Sequence, residues 1–353
     1  MSRPFVFPGL NTRVIFGHGT LAQAPGEVAR MGRRRALVLS TPHQADQAQA
    51  LADALGSAAA GVFAEAAMHT PVDVTERAVA AYNQRGADCV VALGGGSTTG
   101  LGKAIATRTG ADQLVIPTTY AGSEMTDILG ETADGEKLTR RDASIRPEVV
   151  LYDVDLTLGL PVAMTMTSAL NAIAHAMEGF YAPDRNPVTE ALSRDALAAF
   201  ARALPALRDT PRDPQARAQA LYAAWGCSTA LGYVQMALHH KLAHVLGGSF
   251  GTPHAETHAI LLPHTTAYNE VAVADLLAPI RETFGQASAG AGLWHFARDI
   301  GAPLRLAELG LSEADLDRAA DIAVKNPYAN PREITRPGIR QLLQDAWDGR
   351  EPA

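Results

Sequence analysis

Asp88-Cys-Val-Val-Ala-Leu-Gly94-Gly95-Gly96-Ser97-Thr98-Thr99-Gly100-Leu-Gly102-Lys103 is the stretch on which the fold turns. Its first half is a continuous apolar run, the pattern of a strand buried on both faces, and such strands belong to parallel sheets covered by helices. Its second half is a glycine- and hydroxyl-rich turn opening a helical pattern. Glycine lets backbone amides approach a phosphate closely, a helix start offers N–H groups with no helical acceptor, and Ser97, Thr98 and Thr99 add hydroxyl donors. The turn is therefore a candidate phosphate cradle, with Lys103 as its cation. It has neither G-x-G-x-x-G spacing nor the Gly-Lys-Ser/Thr ending of a P-loop, and a tight strand-to-helix connection with no ligand would use the same glycines.

Working outward, further β-rich runs recur between alanine-rich helical stretches at Arg13–Phe16, Arg35–Leu39, Ala59–Phe63, Leu114–Ile116 and Val149–Tyr152. Alternation of this kind predicts an α/β N-terminal domain with a parallel sheet. A second polar turn, Pro117-Thr118-Thr119-Tyr-Ala-Gly122-Ser123-Glu124, follows the next strand, and turns at the carboxyl ends of adjacent parallel strands are where ligands bind. After Gly159 and Pro161 the character changes. Helical spacing runs through Ser168–Ala182, Pro187–Leu207, Pro214–Leu246 and Ala274–Phe284, which predicts an all-α C-terminal domain. The expected division is 1–158 and 159–353.

The 353 residues are 47% hydrophobic, enough for two domains with substantial cores. A net charge of −7, dispersed along the chain, excludes the basic footprint of a nucleic-acid binder, and an anionic substrate would need a locally cationic pocket. Two cysteines, Cys89 and Cys227, sit in apolar or small-residue surroundings, so no disulfide is expected and a reducing compartment suits the chain. The amino-terminal Met1-Ser-Arg-Pro-Phe-Val-Phe-Pro lacks a signal-peptide apolar run, and no stretch is apolar for long enough to cross a bilayer. A cytoplasmic protein with no membrane partner is the expectation.

Eleven histidines are present, six of them in the window His239, His240, His244, His254, His258 and His264. His240 and His244 are four apart and share a helical face, as do Asn171 and His175. With His254 these have the composition of a metal site, except that a neutral amide at Asn171 holds a divalent cation less well than a carboxylate. His239, His258 and His264 read as core residues, each satisfied by a backbone carbonyl.

Gly94–Ser97, the Pro117–Glu124 turn, the Asn171–His175 helix and His240-Lys-Leu-Ala-His244 with Pro253-His254, in that order, resemble the iron-containing alcohol dehydrogenase superfamily over essentially the full length. The resemblance implies a Rossmann-like, dehydroquinate-synthase-like N-terminal domain and an all-α catalytic domain. The Gly-Gly-Gly-Ser-Thr-Thr-Gly-Leu-Gly-Lys turn, the Thr-Tyr-Ala-Gly-Ser-Glu turn, Leu138-Thr-Arg-Arg-Asp142 and Asn171 most resemble the branch that reduces maleylacetate to 3-oxoadipate with NAD(P)H in aromatic-ring degradation. By position it implies Asn171, His175, His240 and His254 as the metal-ligand slots, with His244 beside the nicotinamide. Metal-dependent members use aspartate where this chain has Asn171, so no obligatory metal is expected and the slots read as vestigial. His175, His240 and His254 are then assigned to oxyanion or carboxylate binding and His244 to proton donation.

The cofactor set expected from the turns is Gly94, Gly95, Gly96, Ser97, Thr98, Lys103, Thr118, Thr119 and Ser123. In NAD-preferring relatives an acidic residue near the end of the second strand holds the ribose. Ser40 and Thr41 stand there instead, so NADH with tolerance of NADPH is expected. A dicarboxylate substrate needs cationic partners; Lys241, Arg140, Arg141 and Lys325 are candidates, His69 a further one, and a solvated surface role suits each cation equally. Family likeness favours a homodimer, and Arg13–Phe16 fits an exchanged or edge strand as well as an ordinary sheet position. Two other readings remain: a metal-dependent alcohol or polyol dehydrogenase of the same superfamily, and a catalytically silent nucleotide-binding sensor.

Overall fold

The computed structural model describes residues 4–133 and 136–352. Part of the amino-terminal segment read for a leader, residues 1–3, lies outside them. By internal contacts the described chain forms two compact units, one of residues 8–160 and one of residues 161–352 joined by residues 4–7.

The first unit alternates β1 (Arg13–Gly17), α1 (Ala24–Arg30), β2 (Ala36–Leu39), α2 (Ala45–Leu55), β3 (Ala59–Phe63), α3 (Val72–Gln84), β4 (Cys89–Gly94), α4 (Gly96–Thr109) and β5 (Asp112–Pro117). A hairpin of β6 (Ile128–Ala133) and β7 (Glu136–Arg141) precedes β8 (Val149–Asp153). Six strands form one parallel sheet in the order β1-β8-β5-β4-β2-β3. Every residue of β2, β4 and β8 is buried, the physical reason these strands read as unbroken apolar runs. Val38, Val91, Leu114 and Leu151 join Val28 and Leu51 of the flanking helices in one core cluster. β1 pairs with β8 and stands at one edge of the sheet among the described residues. In the β4–β5 ladder Gly94 stands opposite Pro117, so both polar turns leave neighbouring strand ends.

The second unit has no strand among its described residues. It begins with α5 (Val162–Tyr181), which is buried continuously from Thr165 to Tyr181 and packs on α6 (Pro187–Asp209), α7 (Pro214–Tyr233) and α9 (His254–Val273). The starts expected at Pro187 and Pro214 are capped by Asn186 and Asp213, whose side chains accept the first free N–H groups. The helix expected over Pro214–Leu246 is in fact two, because α7 stops at Tyr233 and α8 (Leu238–Phe250) starts afresh. Distant acceptors supply the reason: Asp184 takes the N–H of Gln235, and Glu178 those of Ala237 and His239. Four shorter helices complete the unit: α10 (Ala278–Phe284), α11 (Ala289–Asp299), α12 (Asp315–Ala323) and α13 (Arg336–Asp348). α8, α9, α12 and α13 share an aliphatic core built around Leu242, Leu246, Ile260, Leu316 and Leu343. No helix among the described residues is long and apolar enough to cross a membrane.

Candidate active site

In the α/β unit the glycine turn is shaped by close contacts. Gly94 has φ +153°, and a Cβ there would collide with the Thr98 hydroxyl; a Cβ on Gly95 would meet Thr119 Oγ1 at 3.0 Å. The backbone at the start of α4 is thus bare, and the buried Thr98 Oγ1 has no hydrogen-bond partner among the described residues. Glycine cradle, helix start and waiting hydroxyl together fit a phosphate. Ser97 and Thr119 are half-buried beside it. Thr118 Oγ1 accepts from Gln44 Nε2 at 3.3 Å. Gln44, just before α2, was not singled out from the sequence; only the β2–β4 pairing brings it to the turn.

Lys103 needs correction as a phosphate ligand. It is fully buried, and its ammonium donates to Ser123 O at 2.5 Å, Thr126 Oγ1 at 2.8 Å, Ile128 O at 3.0 Å and Ser123 Oγ at 3.2 Å. Burial pushes this amine down to about 7, partly offset by Glu124 and Asp127. Lys103 therefore fastens the Ser123–Ile128 segment, and Ser123 is engaged with it. Ser40 is also fully buried, its hydroxyl on the Thr41 carbonyl, which leaves Thr41 as the half-buried member of that pair.

His69 and Thr70 both adopt positive φ, 63° and 48°. This is costly for a β-branched residue, and such strain persists only where surroundings enforce it. Here the Thr70 hydroxyl lies against Gly100 of α4, and the Thr70 carbonyl accepts from Thr132 N at 3.2 Å. The loop carrying His69 is thereby pinned to the helix that starts at the glycine turn. Arg140 and Arg141 lie on β7, both exposed, with Arg141 3.4 Å from Asp127.

In the helical unit the histidines converge. His175 on α5 stacks on His240 of α8 with ring centroids 5.1 Å apart. His244 lies 6.2 Å and His258 5.0 Å from His240, while His254 is 4.4 Å from His258. Asn171 is buried one turn before His175 on the same face of α5. Burial and neighbouring imidazoles hold His175, His239 and His258 well below the usual histidine range, so these rings are neutral near pH 7.

His239 and His258 are buried in the core, but side chains rather than backbone carbonyls bond His239, and His258 Nε2 has no hydrogen-bond partner among the described residues. Thr265 gives its hydroxyl hydrogen to Leu261 O at 3.0 Å and so accepts from His239 Nδ1 at 2.9 Å. His239 Nε2 is then the acceptor for His258 Nδ1–H at 2.8 Å. His264 is buried too, with no hydrogen-bond partner for Nε2 among the described residues.

Two important residues escape sequence reasoning. Glu178 is fully buried, accepts from Ala237 N and His239 N and is hydrogen-bonded to His240 Nδ1, each at 2.7 Å. The available signal was its spacing: Asn171, His175 and Glu178 follow i, i+4, i+7 along one stripe. Tyr328, whose hydroxyl is 3.3 Å from His244 Nδ1, could not be placed without the tertiary fold. Burial, aided by the Glu178 charge, pushes the Tyr328 phenol up, so it keeps its hydrogen. Lys241 stands 5.5 Å over the Tyr328 ring, and Lys325 is exposed.

One of the four implied metal-ligand slots carries a neutral donor. Asn171 brings an amide, and the carboxylate of Glu178 is committed to His240 and two backbone N–H groups. Among the described residues no three His, Cys, Asp or Glu side chains are gathered so as to hold an ion.

Comparison with known proteins follows the same two-part organisation. The family described as "Iron-containing alcohol dehydrogenase" matches residues 11–154, and "Fe-containing alcohol dehydrogenase family, C-terminal" matches residues 165–347. Maleylacetate reductase of Rhizobium sp. (strain MTP-10005) is 57% identical, with 99% of each chain covered. Maleylacetate reductase 1 of Rhodococcus opacus is 48% identical over 99% of this chain and 98% of its own. The crystal structure of maleylacetate reductase from Agrobacterium tumefaciens superposes with a TM-score of 0.96 at 58% identity, covering 99% of this chain and 100% of that one.

Proposed function

The chain belongs to the iron-containing alcohol dehydrogenase family, and from that premise we infer that it reduces the conjugated double bond of maleylacetate to give 3-oxoadipate. The observation that carries this conclusion is the full-length likeness to maleylacetate reductases, 57% over 99% of both chains in the Rhizobium case. The imidazole pocket supplies the chemistry, and it differs from a metal-centred alcohol site as a conjugated substrate would allow.

When bound, NADH supplies a hydride to the alkene carbon farther from the ketone, and the electron pair moves onto the ketone oxygen as an enolate. The pocket must then hold an oxyanion and return one proton to the carbon beside the ketone. His175, His240 and His254, with Asn171, form the polar wall for the oxygen or a substrate carboxylate. His244 is suited to give the proton, because Tyr328 can donate its retained hydrogen to His244 Nδ1 and leave the hydrogen on Nε2. Lys241, Arg140, Lys325 and His69 are the candidates for pairing with carboxylates, Lys241 being nearest the histidines in sequence and sharing α8 with them.

Gly94, Gly95, Gly96, Ser97, Thr98, Thr118 and Thr119 would hold the dinucleotide phosphates. Thr41, an uncharged residue just past β2, would tolerate both NADH and NADPH. No step needs a metal. We further place the enzyme in the cytoplasm, which the two unpaired cysteines favour, and read it as a homodimer on family likeness.

Deuterium-labelled NADH tests the assignment. The label is expected in 3-oxoadipate on the methylene that is next to a carboxylate and not next to the ketone. A hydroxy acid labelled at the former ketone carbon would instead support the alcohol dehydrogenase reading, and absence of NADH consumption would remove both.

A further inference from the structure

We propose that Glu178 is a positioning residue that fixes which nitrogen of His240 the substrate meets. The inference rests on the conjugate-reduction reading of the pocket. Glu178 lies on the stripe of α5 that carries Asn171 and His175, and its carboxylate is fully buried. Oε2 accepts from Ala237 N and lies 2.7 Å from His240 Nδ1, and Oε1 accepts from His239 N, each backbone bond also at 2.7 Å. Two backbone N–H groups donate to this carboxylate, one to each oxygen, an environment that favours acceptor oxygens and so the hydrogen shared with His240 on Nδ1. His240 Nε2 then carries its lone pair inward. It is buried and has no hydrogen-bond partner among the described residues, and the rings of His175 and His258 lie 5.1 and 5.0 Å away.

The same carboxylate takes N–H groups at the start of α8, the helix that carries His240, Lys241 and His244. Side-chain tautomer and helix placement are therefore set by one group. Asn330 Oδ1 accepts from the intervening Leu238 N at 3.4 Å, and Asn330 is in turn held by Asn269 at 2.7 and 3.0 Å. Tyr181 links Asn269 back toward Glu178, accepting from Asn269 Nδ2 at 3.0 Å. Here the two backbone groups bonded to Glu178 are donors, which favours one tautomer of His240.

An amide in place of the carboxylate has one acceptor and one donor. Whichever way it turns, one N–H of α8 loses its partner, and in one orientation its NH2 group faces Nδ1 and drives the imidazole hydrogen to Nε2. The test is the ¹⁵N spectrum of His240, assigned by difference with H240N, together with steady-state kinetics of E178Q. Wild-type enzyme is expected to show a protonated Nδ1 and a bare Nε2. E178Q is expected to lose that single signature and to lower kcat at least about tenfold while KM for maleylacetate stays within about threefold. A wild-type Nε2 bearing the hydrogen overturns the proposal, as does an E178Q enzyme with unchanged kcat or with reduced kcat and an unaltered tautomer. If E178Q does not fold, the wild-type spectrum decides. Failure of wild-type enzyme to reduce maleylacetate would remove the functional reading but leave the spectroscopic result standing.

Discussion

Individual side chains carry the chemistry, and their roles separate by experiment. His244→Asn removes the proposed proton donor, and kcat is expected to fall by about 100-fold or more with KM for NADH little changed; equal kcat in the variant would move proton donation elsewhere. Lys103→Met leaves the acceptors at Ser123, Thr126 and Ile128 without a donor, so urea unfolding should show a loss of about 1–3 kcal/mol. A rise in KM for NADH with unchanged stability would instead return Lys103 to the phosphate. The histidines were legible because His240 and His244 share a helical face, as Asn171 and His175 do, whereas the capture of Lys103 by a segment twenty residues on was not. A lysine after a glycine turn looks the same in sequence whether its ammonium meets an anion or fastens a loop. Glu178 shows the converse case: its spacing was visible, but a glutamate on an alanine-rich helix reads as solvated until α8 is seen to start on it.

Secondary-structure elements divide by how locally they are determined. β2, β4 and β8 were readable because burial on both faces forces continuous apolar sequence, and Pro187 and Pro214 marked helix starts whose caps are neighbours in the chain. The β6–β7 hairpin was not, since Ile128-Leu-Gly-Glu-Thr-Ala has neither a long apolar run nor strict alternation. The α7–α8 break is likewise absent from the periodicity, because the acceptors that stop and restart the helix lie in another part of the sequence. Close helix contact is a further property hidden from pattern. Gly290 of α11 sits so near α9 that a Cβ would come 2.6 Å from Ala267 Cβ and 2.9 Å from the Pro263 carbonyl. Gly290→Ala should therefore force the two helices apart and lower stability by about 1–3 kcal/mol, read as a lower thermal midpoint. An unchanged midpoint would mean the contact is slack.

Across the whole molecule, buried neutral histidines couple stability to pH. Burial lowers His264 to about 4, and His239 and His258 are held well below the ordinary value of 6.5. In the window below 6.5 the unfolded chain takes up protons that the folded chain refuses, so stability is lost as pH falls. Each such histidine contributes about 1.4 kcal/mol per pH unit until its folded value is reached. Urea midpoints should therefore drop from about pH 7 to about pH 5 more steeply than carboxylate titration alone explains; a flat profile would show that these rings are protonated in the fold. The catalytic account asks more of the molecule: a glycine cradle for NADH in one unit, an imidazole pocket in the other, and no metal in the chemistry. Its central claim is tested by NADH oxidation with maleylacetate, using enzyme treated with a chelator and assayed for residual zinc and iron. Undiminished turnover by metal-free enzyme is the predicted result. Loss of activity that zinc or iron restores would contradict it and make Asn171, His175, His240 and His254 a working metal site.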